Sequence, residues 1–144
     1  MSDNTVRQPI VVKHDGGLQF TAHVRGHRVV TDQPERGGGK DAGPMPLELL
    51  GASLGTCIAL YVQQFCDVRD LPYAGMKVEV FQETDRNPSR VAQFSVRVIM
   101  PEELPEQYAA MLDKVVQSCP AHYTLAHETA IKVEVVMPIA QTVA

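Results

Sequence analysis

One stretch constrains the fold more than any other: residues 43–70, which read GPMPLELLGASLGTCIALYVQQFCDVRD. Its large apolar residues recur at intervals of three and four, the spacing that places side chains on one face of an α-helix. The residues of this stripe are Leu47, Leu50, Leu54, Ile58, Tyr61, Val62 and Phe65. Pro46 suits the first helical position, and the helix dipole favours Glu48 in the first turn. We therefore predict a helix over residues 46–70 that is buried on most sides.

The length of 144 residues fits one domain over residues 1–144, with strands and a loop in residues 1–45 and two helices with further strands in residues 46–144. The chain has 13 basic and 17 acidic residues and no block of like charge, so neither nucleic acid nor an anionic membrane is an expected partner. No signal-peptide pattern precedes the first strands, and no apolar run approaches the roughly 18 residues of a membrane span. These features predict a cytoplasmic protein with no membrane contact and no cofactor.

The N-terminal part has the pattern of a small sheet. Residues 10–14 and 18–31 are rich in strand-forming residues and are interrupted by glycines, which is typical of a β-meander with hairpin turns. Residues 32–45 hold four of the ten glycines and two prolines, which predicts a loop. Lys40 is followed by Asp rather than Ser or Thr, so this glycine-rich loop lacks the phosphate-binding pattern.

The C-terminal part predicts a second hairpin, a helix and a last strand. Residues 76–84 and 91–100 alternate between apolar and polar side chains on either side of a DRNPSR turn. Residues 101–118 have helical spacing, and residues 131–137 (IKVEVVM) are strand-like. Together these segments predict an α+β fold in which helices pack against antiparallel β-sheets.

Three cysteines are an odd count, and a reducing cytosol argues against a structural disulfide framework. Cys66 follows Cys57 by nine residues and therefore points about 180° away on the same helix, so these two thiols cannot bond. Taken singly, Cys57 and Cys66 fit the pattern of small buried apolar residues. Cys119 ends the other predicted helix, and paired with Cys57 it would supply the second thiol that a peroxidatic cysteine needs to form a disulfide.

A reactive cysteine must be a thiolate, whereas a free cysteine has a pKa of about 8.5. Cys57 lies about three turns inside its helix, beyond the reach of the helix dipole. An arginine is the natural activating group, because it is permanently charged and can also hold a hydroperoxide oxygen. Arg28 and Arg36 are the candidates upstream, although either could equally be a solvated surface charge.

Residues 43–57, GPMPLELLGASLGTC, together with Ser118-Cys119-Pro120 after a second helix, resemble the OsmC/Ohr family of osmotically inducible and organic hydroperoxide resistance proteins. The resemblance covers nearly the whole chain. It implies an intertwined homodimer with central helices flanked by sheet and two active sites at the subunit interface. It also implies the reduction of organic hydroperoxides in oxidative stress defence, with Cys57 as peroxidatic thiol, Cys119 as resolving thiol and a dithiol as reductant.

One position departs from the family pattern. The better-studied peroxidases of the family carry a catalytic glutamate directly after the helix-opening proline, and here that position is Leu47. Glu48 follows, but nine residues before Cys57 it points to the opposite side of the helix, so we interpret it as a helix-start charge. The loop around Arg36 does not align with the family arginine without a gap. The chain therefore resembles a divergent branch of the family.

Three alternatives remain open at this level. His122 and His127 follow Cys119, but a closed zinc site needs four ligands and no second close pair completes the set. A Cys-His hydrolase would use one of these histidines as base, although no nucleophile elbow is present. A non-catalytic module that holds a small hydrophobic molecule in the interface pocket is also consistent with the missing glutamate.

Overall fold

The computed structural model describes residues 8–139, which form an α+β arrangement, as the sequence predicts. The elements in chain order are strands β1 (Val11–Gly16), β2 (Gln19–Val24) and β3 (His27–Thr31), helix α1 (Pro46–Asp67), strands β4 (Lys77–Arg86) and β5 (Ser89–Ile99), and helices α2 (Glu106–Gln117) and α3 (Pro120–Ala126). A single 3-10 turn, Glu35–Gly37, interrupts the predicted loop between β3 and α1.

Helix α1 is the centre of the hydrophobic core and packs against β4, β5, α2 and α3. Its buried apolar side chains are Leu54, Ile58, Val62 and Phe65. A Cβ on Gly55 would lie 3.0 Å from Cγ2 of Val80, so the small residue is what allows β4 to approach the helix this closely. The predicted start at Pro46 is confirmed.

The predicted end of α1 is three residues too late. The helix ends at Asp67, and the backbone N–H groups of Arg69 and Leu71 then both donate to the carbonyl of Cys66. Asp70 adopts a left-handed conformation with φ of 50°, which a continuing helix does not allow. The chain therefore turns away one helical turn earlier than the apolar pattern indicates.

The expectation that no segment could span a membrane needs correction, since α1 is long enough and apolar enough by composition to do so. The same properties suit the core helix of a soluble protein. Here α1 is covered on one side by the β4–β5 hairpin and on others by α2 and α3. We therefore interpret its apolar character as core packing.

The strands form two separate antiparallel sheets, in the order β1-β2-β3 and β4-β5. The register of the second sheet pairs Val78 with Val98 and Val80 with Val96, and these valines face the core. Its turn is shorter than predicted, because the strands continue to Arg86 and resume at Ser89. The first sheet makes at most isolated contacts with the helices and hairpin of the described chain, and all six residues of β1 are exposed.

The C-terminal helices differ from the prediction in two ways. The predicted helix over residues 101–118 begins only at Glu106, because Pro105 disfavours helical backbone at the residue before it. After Cys119 the sequence predicted an end, whereas Pro120 opens the short helix α3. A proline stops a preceding helix but is also well suited to the first position of the next one, and Pro120 has both effects here.

The predicted strand over residues 131–137 is wrong for the single chain, in which this segment forms no β-ladder. A strand needs a neighbouring edge to hydrogen-bond, and within residues 8–139 no edge pairs with it. Its apolar side chains are consequently between 73% and 83% exposed. They are Ile131, Val133, Val135, Val136 and Met137.

The loop that leads into α1 is organised by the buried carboxylate of Asp32. It accepts backbone hydrogen bonds from Gln33 at 2.7 Å, from Lys40 at 3.1 Å and from Ala42 at 3.1 Å. These bonds, that from Ala42 most of all, hold the pKa of Asp32 below its ordinary value against the opposing effect of burial. The ionised carboxylate therefore fixes the path by which β3 connects to the start of α1.

We predict that Asp32→Asn lowers the melting temperature at pH 7 and flattens its dependence on acid pH. Because the folded-state pKa is depressed, the contribution of Asp32 is present above its unfolded-state pKa and is lost as pH falls through the folded-state value. Asp41→Asn, at an exposed position of the same loop, is the control. Thermal unfolding followed by circular dichroism between pH 3 and 7 measures the effect, and identical profiles for the two variants would contradict it.

Candidate functional site

Two free thiols meet where α1 passes the end of α2. Cys57 lies on α1 one turn after the buried Leu54, and it is half-buried. Cys119 precedes α3 and is completely buried, with its Sγ accepting a hydrogen bond from the backbone N–H of His122 at 3.4 Å. Both thiols are unbonded in the structure. The more accessible sulfur is thus on the long helix and the less accessible one at the chain turn.

The environment of Cys119 shows that the two thiols are neighbours. Its pKa is raised, first by burial and then by a hydrogen bond with Cys57 and the proximity of that thiol's charge. The backbone N–H groups of His122 and Ala121 act in the opposite direction. The structure therefore brings together the two cysteines that the sequence singled out, and it keeps Cys119 in its protonated form.

Cys66 stands apart from this pair. It is fully buried in the core, on the side of α1 opposite to Cys57 as the helical spacing predicts. Burial raises the pKa of its thiol, and the nearby charge of Arg69 offsets this only in part. Arg69 itself lies over the Phe65 ring, 3.9 Å from its centroid. The arrangement fits a packing role for Cys66.

Arg28 and Arg36 lie on the exposed surface of β3 and of the 3-10 turn, respectively. Neither is among the groups that shift the pKa of Cys119. Their sheet and loop make at most isolated contacts with the helices of the described chain. The single chain therefore does not bring these arginines to the thiols, and their role stays a prediction.

A groove of about 600 Å³, here called the thiol-side groove, lies between the first half of α1, the start of β5 and α3. Its wall on α1 is apolar and leads towards Cys57 along the same helical stripe, through Leu47, Leu50 and Leu54. Arg90 from β5 and His122 from α3 are the charged or titratable side chains in its lining. Arg90 also pairs with Asp85 at 3.1 Å.

A larger groove of about 750 Å³ lies between β5 and α2 and contains neither thiol. Its rim carries four carboxylates, from Glu102, Glu103, Glu106 and Asp113. Neither thiol lines the thiol-side groove itself, but this groove includes Leu54, one turn before Cys57, and His122, whose backbone N–H donates to Cys119. We therefore place the functional site at the thiol-side groove.

The first turn of α1 confirms the interpretation of Glu48. Its carboxylate accepts a hydrogen bond from the backbone N–H of Met45 at 2.8 Å, which caps the helix. It lines the opposite side of α1 together with Gly51 and Gly55, while the side chain of Leu47 lines the thiol-side groove. The lining of this groove therefore contains no carboxylate, in contrast to the family pattern.

The two C-terminal histidines have different surroundings. His127 is exposed, stacks on Tyr123 at 3.9 Å and contacts the Tyr123 carbonyl through Nδ1 at 2.8 Å. Nδ1 of His122 is buried and has no hydrogen-bond partner. No cluster of three or more metal-ligating side chains is found within residues 8–139. The sequence drew attention to His122 only as a hydrolase base or zinc ligand, and nothing in it pointed to Arg90.

Comparison with known proteins identifies one family: residues 37–134 match OsmC-like protein. A proposed osmotic stress induced and detoxification response protein from Psychrobacter arcticus 273-4 is 22% identical with a TM-score of 0.75, over 81% of this chain and 86% of that one. An OsmC-like protein from Mycoplasma pneumoniae is 18% identical with a TM-score of 0.66, over 83% and 88%. An organic hydroperoxide resistance protein OsmC from Legionella pneumophila is 16% identical with a TM-score of 0.53, over 82% and 89%. No curated protein matches the chain.

We predict that Cys57→Ser lowers the pKa of Cys119, because the substitution removes the neighbouring thiol whose hydrogen bond and charge raise it. The measurement is the pH dependence of iodoacetamide alkylation of Cys119, followed by mass spectrometry, with the midpoint and not the absolute rate compared. Cys66→Ser is the matched control, since that thiol lies on the other side of α1 and should leave the midpoint unchanged. An unchanged midpoint in Cys57→Ser would show that the two sulfurs do not interact.

Proposed function

The chain belongs to the OsmC-like protein family, and on that premise we propose that it is a thiol peroxidase that reduces organic hydroperoxides in oxidative stress defence. The observation that carries the proposal is the contact between Cys57 and Cys119 beside an apolar groove. The name of the Legionella pneumophila protein, organic hydroperoxide resistance protein OsmC, supports it.

The proposed first step is attack by the Cys57 thiolate on the terminal oxygen of the hydroperoxide. The O–O bond breaks, the sulfur loses two electrons and becomes a sulfenic acid, and the alkoxide takes up a proton to leave as an alcohol. Cys57 suits this role because it is half-buried and can be reached from outside. Cys119 is buried and its raised pKa keeps it protonated, so it does not compete as the first nucleophile.

In the second step the Cys119 sulfur attacks the sulfenic sulfur of Cys57. A disulfide forms and one water molecule leaves, made of the sulfenic hydroxyl and the thiol proton. An external dithiol then supplies two electrons and two protons and regenerates both thiols by exchange. Because Cys57 is near enough to Cys119 to raise its pKa, we expect the disulfide to require only a local adjustment of the turn at Cys119.

The thiol-side groove favours substrates with an apolar part. Its α1 wall of leucines would contact the organic group of a hydroperoxide, whereas hydrogen peroxide has no such group to bury. Leu47 in place of the family glutamate adds to this apolar wall. We therefore propose that bulky organic hydroperoxides are reduced faster than hydrogen peroxide.

We further propose that the protein acts in the cytoplasm as a homodimer. The β1–β3 sheet stands apart from the helices of its own chain, and the segment over residues 131–137 leaves an alternating row of apolar side chains exposed. A second copy could cover both surfaces and supply a sheet edge for this segment. It would also place Arg28 or Arg36 near a pair of thiols, where either would favour the thiolate form of Cys57.

The peroxidase proposal predicts that Cys57→Ser and Cys119→Ser each abolish the turnover of cumene hydroperoxide with dithiothreitol as reductant. Only Cys57→Ser should also abolish sulfenic acid formation, detected by dimedone labelling. Cys66→Ser is the control and should keep the rate within about twofold, since Cys66 lies on the side of α1 opposite to Cys57. Turnover that survives in Cys57→Ser would refute the assigned roles.

The homodimer proposal predicts that the protein elutes in size-exclusion chromatography with light scattering at twice the mass of one chain. Val133→Asp combined with Val135→Asp should shift it towards the monomer, because both side chains lie on the apolar row of the C-terminal segment. Glu134→Gln, on the alternate face of the same segment, should leave the dimer intact. A wild-type monomer at micromolar concentration would contradict the proposal.

A second function, the binding of a small hydrophobic molecule without catalysis, is favoured by one observation. The lining of the thiol-side groove contains leucine and no carboxylate where the family pattern has its catalytic glutamate. A binding module would keep its ligand affinity in both cysteine variants and would consume no hydroperoxide. The turnover assay described above therefore separates the two functions.

A further inference from the structure

The side chain of His122 carries an unexplained polar atom. Its Nδ1 is buried and finds no hydrogen-bond partner among the described residues. A buried polar group without a partner costs about 1–3 kcal/mol, and such groups in folded proteins usually mark an unseen partner or a functional role. The position of this atom suggests which role it has.

His122 contacts Cys119 through its backbone and also belongs to the lining of the thiol-side groove. Its backbone nitrogen is 3.4 Å from Sγ of Cys119, and its ring is part of the groove lining together with Leu47 and Leu50. Covalent geometry keeps Nδ1 within about 4 Å of the backbone nitrogen of the same residue, so it lies within about 8 Å of the Cys119 sulfur.

We propose that His122 is the acid–base group of the hydroperoxide site. The imidazole accepts the proton of the Cys57 thiol, and the resulting thiolate attacks the terminal peroxide oxygen. As the O–O bond breaks, the imidazolium gives this proton to the departing alkoxide, which leaves as an alcohol. The proton from the thiol thus ends on the product, sulfur is oxidised by two electrons, and the histidine returns to its starting form.

The surroundings of the groove favour His122 over the other candidates for this proton transfer. Cys119 accepts a hydrogen bond from the backbone N–H of His122, and its pKa responds to the neighbouring Cys57. Arg90 from β5 is the other charged or titratable side chain in the groove lining. Arg90 remains protonated throughout and cannot shuttle a proton. Imidazole is the side chain that ordinarily exchanges a proton near neutral pH. In this chain it would perform the proton transfer for which no carboxylate is available in the groove lining.

This inference rests on the proposed peroxidase function, and its test is designed to separate the two. In a Cys119→Ser background the reaction stops at the sulfenic acid, so stopped-flow mixing with cumene hydroperoxide measures the first step alone. His122→Asn keeps a hydrogen-bonding group near the place of Nδ1 but cannot carry a proton. His127→Asn is the matched control, because His127 is exposed and paired with Tyr123.

We expect His122→Asn to slow sulfenic acid formation by about 10²-fold or more, the usual contribution of a general acid–base group. The pH profile of the rate should also change in His122→Asn, because the variant loses the group that exchanges the proton. A merely structural histidine would not move this pH profile.

Two outcomes overturn different claims. If the Cys119→Ser parent forms no sulfenic acid, the proposed peroxidase function fails. If the parent reacts and His122→Asn matches it in rate and pH profile, the role of His122 is refuted while the function stands. Should His122→Asn fail to fold, NMR titration of the imidazole signals in wild type and Cys57→Ser decides the question. A shifted titration for His122 alone supports the inference, and an unchanged one overturns it.

Discussion

The structure depends on one contact, that between helix α1 and the chain turn at Cys119. The apolar stripe of α1 buries Leu54, Ile58 and Val62 against the β4–β5 hairpin and α2, and this packing fixes the orientation of Cys57 on the same helix. The turn after α2 then places Cys119 beside it. Hydrophobic packing, which does not itself select for sulfur, thus brings these two sulfur atoms close together.

The same packing leaves other surfaces of the chain uncovered. The β1–β3 sheet, the exposed strand-like segment over residues 131–137 and the half-exposed groove beside α1 all lack partners within the described chain. A soluble protein rarely exposes so much apolar surface unless another molecule covers it. The proposed dimer would cover these surfaces, and it would also account for the separation of Arg28 and Arg36 from the thiols within one chain.

The sequence predicted those parts of the fold that local periodicity determines. The start and inward face of α1, the β4–β5 pairing and the opposite orientation of Cys57 and Cys66 all follow from regular spacing along one element. The wrong predictions have two causes. At Pro120 two rules compete, because the proline ends one helix and begins the next. Elsewhere a partner outside the element determines whether the predicted structure forms. Residues 131–137 have the pattern of a strand, but a pattern cannot supply the edge to which a strand must bind.

The residues of the candidate site were likewise only partly predictable from the sequence. The thiol pair could be singled out from the sequence because cysteines are rare and a peroxidatic cysteine needs a second thiol to form a disulfide. Arg90 and the apolar wall around Leu47 could not, since they come from separate elements whose meeting is set by tertiary packing. His122 was visible beside Cys119 in the sequence, yet only the structure shows that its Nδ1 is buried without a partner.

The most direct test of the central claim is peptide mapping by mass spectrometry after a substoichiometric dose of cumene hydroperoxide, with free thiols blocked before digestion. If the contact between the two sulfurs is as described, a disulfide should join the peptides that contain Cys57 and Cys119 within one chain, and Cys66 should be recovered as a blocked thiol. Recovery of all three cysteines as blocked thiols, or a bond that involves Cys66, would contradict the account.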